Sequence, residues 1–89
     1  MKSRNQLLKE LKQKYPKGWF KTSEDFDGQK GAIWSGECSY KDGIPLFEYY
    51  PEYEGIYEGG VLKELNSYLD KHGWYVEWYD AGTVMIYKQ

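Results

Sequence analysis

The chain has 89 residues, a net charge of −2, and 17 aromatic residues (four Trp, ten Tyr, three Phe) against 14 Leu, Ile and Val. So much ring area at so low a net charge excludes the disordered class, and the length holds a single domain, residues 1–89, with room for one core and one binding face. No apolar run approaches the roughly 20 residues of a membrane span, no signal segment follows Met1-Lys2-Ser3-Arg4, and one cysteine and one histidine exclude a disulfide or a Cys/His zinc site, so the composition predicts a soluble, cytoplasmic protein without a cofactor.

Charge is unevenly spread: residues 1–30 carry a net +4, residues 31–60 a net −5, and residues 61–89 a net −1. Ser3 to Tyr15 reads as a helix, with Ser3 and Gln6 as a capping box and Leu7, Leu8, Leu11 and Tyr15 as its apolar stripe. Pro16 and Gly18 end it. A short strand is predicted near 18–21, then a polar loop from Ser23 to Gly31. Ala32 to Tyr40 alternates as a strand, with Ala32, Trp34, Gly36, Cys38 and Tyr40 on one side and Ile33, Ser35, Glu37 and Ser39 on the other. Lys41-Asp42-Gly43 is a turn, and Ile44 to Tyr50 a strand placed at a sheet edge by Pro45, which has no N–H to donate. A loop of three residues with Gly43 left-handed pairs Tyr40 with Ile44 and Cys38 with Leu46, and avoids setting Glu37 against Glu48.

Pro51 to Gly60 is a turn-rich loop. Val61 to His72 is the second helix, with Val61, Leu62, Leu65, Tyr68 and Leu69 as its stripe and Gly73 just past its end. Trp74–Tyr79 and Thr83–Lys88 form a hairpin. With Gly82 left-handed in an Asp80-Ala81-Gly82 loop, Trp78 pairs with Val84 and Val76 with Ile86. The fold class is therefore α+β. The order is α-β-β-α-β-β, as a two-layer, four-stranded, mostly antiparallel sheet of two hairpins with both helices on one face.

That register gives one face Trp74, Val76, Trp78, Val84 and Ile86, joined by Trp34, and the opposite face Tyr75, Glu77, Tyr79, Thr83, Met85 and Tyr87. Ile33, Phe47 and Tyr49 are expected to join the second face, with Glu37 among them. An aromatic sheet face with an acidic, Tyr-rich segment around 48–58 suits a protein partner. The binding candidates are Phe47, Tyr49, Tyr53, Tyr75, Glu77, Tyr79, Met85 and Tyr87. Two other uses compete: the first helix or the 51–60 loop covers the face as a second small core, or a second copy of the chain pairs on it.

Lys9, Lys12, Lys14, Lys17 and Lys21 beside Trp19 form the nucleic-acid alternative, a phosphate-tracking patch with a ring to stack on. The acidic middle of the chain argues against it. No catalytic or metal set is visible. Cys38 has no His at a recognisable spacing, His72 suits a helix end, and no two of Asp42, Glu48, Glu52, Glu54 and Glu58 are fixed at a set distance.

Trp34-Ser35-Gly36-Glu37, Asp42-Gly43-Ile44-Pro45, Gly60-Val61-Leu62-Lys63-Glu64-Leu65 and His72-Gly73-Trp74-Tyr75-Val76-Glu77-Trp78-Tyr79-Asp80-Ala81-Gly82-Thr83 carry a resemblance. Over roughly residues 31–87 the chain resembles a family of small bacteriophage- and prophage-type proteins. The resemblance implies a phage or prophage origin, with a host factor as a natural partner, and transfers no activity and no functional residues.

Overall fold

The computed structural model describes residues 2–41, 43–49 and 55–89. Helix α1 runs from Arg4 to Lys14 behind the capping box, in which the Ser3 amide donates to Gln6 Oε1 at 3.1 Å and the Gln6 amide to Ser3 Oγ at 3.3 Å. Two of the first turn's orphan donors are thereby satisfied. Strands β1 (Lys21–Thr22), β2 (Ile33–Gly36), β3 (Ser39–Lys41), β4 (Ile44–Pro45), β5 (Tyr57–Glu58) and β6 (Val61–Leu62) precede helix α2 (Lys63–Lys71). Strands β7 (Trp74–Asp80) and β8 (Thr83–Lys88) end the chain.

The fold is α+β, built on an antiparallel sheet of four strands in the order β1-β2-β8-β7. Its composition differs from two hairpins side by side. The fourth strand is the short segment at 21–22, and the 39–45 hairpin forms a separate small sheet. Strand β2 stops at Gly36 because β8 starts at Thr83; the last link is the Glu37 amide to the Gly82 carbonyl at 3.3 Å. A side chain at Gly36 would run into that same Gly82 carbonyl.

Beyond that point the backbone turns into β3. Lys41 pairs with Ile44, a bulge follows, and the Leu46 amide then donates to the Cys38 carbonyl at 2.9 Å. The hairpin therefore closes one residue tighter than the Tyr40–Ile44 pairing, and the bulge restores Cys38 opposite Leu46. Gly43 is left-handed at φ +77°, while Asp42 lies outside the described residues. The segment predicted as an edge strand to Tyr50 instead leads from the β3–β4 hairpin to β6. The Leu62 amide donates to the Leu46 carbonyl, Phe47 bridges to Val61, and the Glu48 amide donates to the Gly60 carbonyl. Gly60 is required there: at φ +78°, an added Cβ would lie 2.8 Å from the Glu48 carbonyl oxygen and against the Trp78 ring.

In the C-terminal hairpin Trp78 pairs with Val84 and Val76 with Ile86, as the alternation requires. The loop chemistry is different from a left-handed glycine. Gly82 is not among the positive-φ glycines, Asp80 pairs with Thr83, and a bulge between Trp78 and Asp80 absorbs the odd residue. The Asp80 carboxylate accepts from the Gly82 amide at 2.9 Å and holds the turn.

One face of the sheet carries the main core. Leu7, Leu11 and Tyr15 of the α1 region, Leu65 and Leu69 of α2, and Leu46, Phe47, Val61 and Leu62 of the small sheets pack with Ile33, Trp74, Val84 and Ile86. Ile33 lies in register with Ile86, and Trp34 with Met85. Over β2 the two columns are therefore reversed with respect to the helices: Ile33 enters the core, and Trp34 points to the other face. Past Gly36 the backbone turns, and Cys38 and Tyr40 pack against the main core. Alternation separates the columns but does not say which faces the helices.

Candidate binding surface

Strand β8 places Met85 and Tyr87 on the face away from the helices, β7 adds Tyr75 and Glu77, and β2 adds Trp34. Neither α1 nor the described part of the 51–60 loop covers this face; α1 belongs to the main core. Phe26, from the loop between β1 and β2, lies 4.9 Å from Trp34 and meets Tyr79 edge-on at 5.0 Å, ring centre to ring centre. Tyr87 donates its hydroxyl to Gln29 Oε1 of the same loop at 3.1 Å. Met85, set between Trp34 and Glu77 in the ladder, is only 1% exposed. Half of this face is thus a second small core closed by rings. The other half stays open, with Tyr75 at 39% and Tyr79 at 57% exposure and Glu77 also exposed.

The predicted candidates divide accordingly. Tyr75, Glu77, Tyr79 and Tyr87 share the face; Met85 lies beneath it, buried. Phe47 is corrected to a core residue, 1% exposed, because its bridge to Val61 turns it under the helices. Tyr49 is exposed but meets Trp78 edge-on at 5.1 Å, so its neighbour is a ring of the helix-side row. Tyr53, with Glu52 and Glu54, lies outside the described residues. Trp34 and Phe26 belong to the surface and were not among its candidates. The signal for Phe26 was a lone large apolar side chain inside an otherwise polar loop.

The basic alternative divides as well. Lys9, Lys12 and Lys17 are exposed. Lys14 lies over the Tyr15 and Tyr68 rings and 4.0 Å from Glu64. Trp19 meets Trp34 edge-on at 5.2 Å, donates its indole N–H to the Glu37 carbonyl, and is capped by Lys21, which also reaches Trp34. The ring offered for base stacking is therefore already engaged on its edge and face.

The two edges of the sheet differ. Strand β1 has two residues, whereas β7 has seven, and among the described residues no strand pairs with its outer side. Between β7 and α2 runs a groove of about 310 Å³ lined by Glu58, Asn66, Asp70, Tyr75, Val76 and Gln89 among others. The Gln89 side-chain amide spans it, donating to Asp70 Oδ1 at 3.0 Å and to the Trp74 carbonyl at 3.2 Å.

Several ionisable groups are shifted by burial and by hydrogen bonds within the fold. Burial pushes the Cys38 thiol above its usual range, the reverse of an activated nucleophile. Burial and a 3.0 Å hydrogen bond to Glu64 raise the Tyr15 phenol, and Tyr40 donates to the other oxygen of Glu64. Burial and Glu10 push Tyr68 up to about 12. Hydrogen bonds from Lys2 and then Tyr68 hold Glu10 low. The Tyr15–Glu64 and Tyr68–Glu10 bonds tie the α1 region to α2, and the Tyr40–Glu64 bond ties β3 to α2. Among the described residues no group of three His, Cys, Asp or Glu converges as a metal site, and no helix is long and apolar enough to cross a membrane.

No protein-family model matches the chain, and neither a curated protein nor a solved structure matches it.

Proposed function

We propose that the chain is a small non-catalytic module that binds a protein partner through the outward side of the β7–β8 hairpin. One observation carries this reading: Tyr75 and Tyr79 stand exposed on one strand beside a Met85 that is already sealed. Tyrosine gives broad contact area with few rotatable bonds to immobilise, and its hydroxyl tolerates water in the unbound state. Glu77, between them on the same strand, supplies charge that favours a basic contact region. Tyr87, held by Gln29, and Trp34, held by Phe26, keep the floor of the surface rigid. The resemblance to phage-type proteins makes a bacterial host factor the first partner to seek. The test is cross-linking in bacterial lysate with the full chain and with the Tyr75→Ala/Tyr79→Ala variant. Loss of the cross-linked species in the variant is the expected result; equal recovery from both proteins overturns the surface.

A further inference from the structure

We infer that the outer edge of β7 accepts a basic, extended segment of the partner as an added strand, with its cationic side chains lying in the groove against α2. The inference rests on the reading of the chain as a protein-binding module and names how that module holds its partner.

The hydrogen-bond phase of the hairpin is fixed by the Gln89 amide, which donates to the Gly73 carbonyl at 2.8 Å. Antiparallel pairs alternate between bonded and non-bonded. Tyr75–Tyr87 and Glu77–Met85 are then the bonded pairs, and Val76–Ile86 and Trp78–Val84 the non-bonded ones. The backbone N–H and C=O groups of Val76 and Trp78 consequently point away from β8, toward an edge on which no strand of the described residues pairs. Such an edge is a template for another strand unless it is shortened, charged with Lys, broken by Pro or covered. Strand β1, at the far edge, is shortened to two residues; β7 has neither Lys nor Pro, and between the Gln89 cap on the Trp74 carbonyl and the bulge after Trp78 its edge at Val76 and Trp78 is regular.

The groove selects the occupant. Glu58 and Asp70 line it with Asn66 and Gln89, no Lys or Arg is among its lining residues, and Glu77 and Asp80 add negative charge along the same strand. A second copy of the chain, pairing β7 with β7, would bring both sets of carboxylates together. A cationic segment would neutralise them. Side chains on a strand alternate, so those on one side recur about every 7 Å. The matching segment therefore carries Lys or Arg at alternate positions over the groove, and apolar residues between them on the tyrosine side.

The test uses the full isotope-labelled chain and two capped peptides, Lys-Val-Lys-Val-Lys-Val-Lys and its counterpart with Glu for Lys. The basic peptide is expected to bind at least about tenfold more tightly than the acidic one, and to slow hydrogen exchange at the Val76 and Trp78 amides. The Glu58→Lys/Asp70→Lys variant changes exposed groups; with its amide spectrum otherwise preserved, it should reverse the preference. Equal affinity for both peptides, no binding of either, or binding that leaves the Val76 amide unprotected overturns the inference. Protection that grows with protein concentration and no peptide also overturns it, because a second copy then occupies the edge. If the tyrosine variant loses its lysate partner while the peptides have no effect, the edge fails and the tyrosine surface stands. If the peptides protect the edge while partner capture ignores the tyrosines, the tyrosine surface fails and the edge stands.

Discussion

The two faces of the central sheet are drawn from the same hairpin but closed by different means. On one face, Val84 and Ile86 meet aliphatic side chains from both helices, with Trp74 buried among them and its indole N–H bonded to the Lys2 carbonyl at 3.0 Å. On the other, Met85 is sealed by rings and one short loop, and Tyr75 and Tyr79 remain in water. A chain with few aliphatic residues can seal one face completely. It must leave the second to side chains that tolerate both burial and exposure, and tyrosine is the residue that does so. The surface available for binding is thus a consequence of how the core is allotted.

The sharpest way to break this contrast is to remove the largest ring from the sealed face. Trp74→Ala should destabilise the protein by about 3–5 kcal/mol, a range typical of buried Trp or Phe truncation, read from the urea midpoint at constant slope. Next, on the ring-closed face, Met85→Ala is expected to cost about 2–3 kcal/mol, near the lower end for buried Met, while Met85→Leu should cost less than about 1.5 kcal/mol because volume is kept. Phe26→Ala should leave Met85 open to peroxide and raise its rate of sulfoxide formation, followed by mass spectrometry. If Met85→Ala proves neutral and its oxidation is as fast as that of a free Met, the second small core does not exist.

The first helix, the second from Lys63 on and the last hairpin were legible because their signals are local; Val61 and Leu62, read as the second helix's first turn, form β6 against β5 instead. Ser3 with Gln6 is a capping box within one turn, and the alternation of Trp74, Val76 and Trp78 against Val84 and Ile86 admits one clean register. What was not legible depends on distant partners. Whether Ile33 or Trp34 faces the helices is decided by which of them meets Ile86, far away in sequence. Phe47 looked like a surface ring because its strand was placed in the main sheet; its bridge to Val61 makes it core. Phe26 packs on Trp34, the cross-strand neighbour of Met85, from a loop that has no periodicity to read. Of the candidate surface, the part carried by β7 and β8 was visible from the hairpin alone, and the part carried by β2 and the loop was not.

A smaller effect tests how the 23–31 loop is anchored beside the ring-closed face. Arg4 donates to Glu24 Oε1 at 2.7 Å, and this hydrogen bond, with backbone donors, holds the Glu24 carboxyl down at about 2, against an ordinary 4.5. A depressed carboxyl pKa contributes stability that is fully present above the unfolded value and is lost as pH falls. The window here is from about 4.5 down to about 2. The wild type should lose this increment on acidification through that window, whereas Glu24→Gln should show a flatter profile there. The increment is modest because the pair is partly exposed and screened. Urea midpoints at several pH values below 5 check it, and identical profiles for the two proteins would show that the pair does not anchor the loop.

The smallest effect bears most directly on binding. Tyr75 is 39% exposed, and among the described residues its ring neighbour is Tyr87 at 5.9 Å in a tilted arrangement. Surface substitutions away from caps and networks change stability by about 0.5 kcal/mol or less, and a loose ring pair adds roughly the same again. Tyr75→Ala should therefore shift the urea midpoint by no more than about 1 kcal/mol equivalent. A residue kept for packing cannot be removed so cheaply, and a residue kept for contact can. A loss above about 2 kcal/mol would place Tyr75 with Met85 in the closed half of the face. The open half would then reduce to Tyr79 and Glu77, too little area for a stable interface without the strand edge beside it.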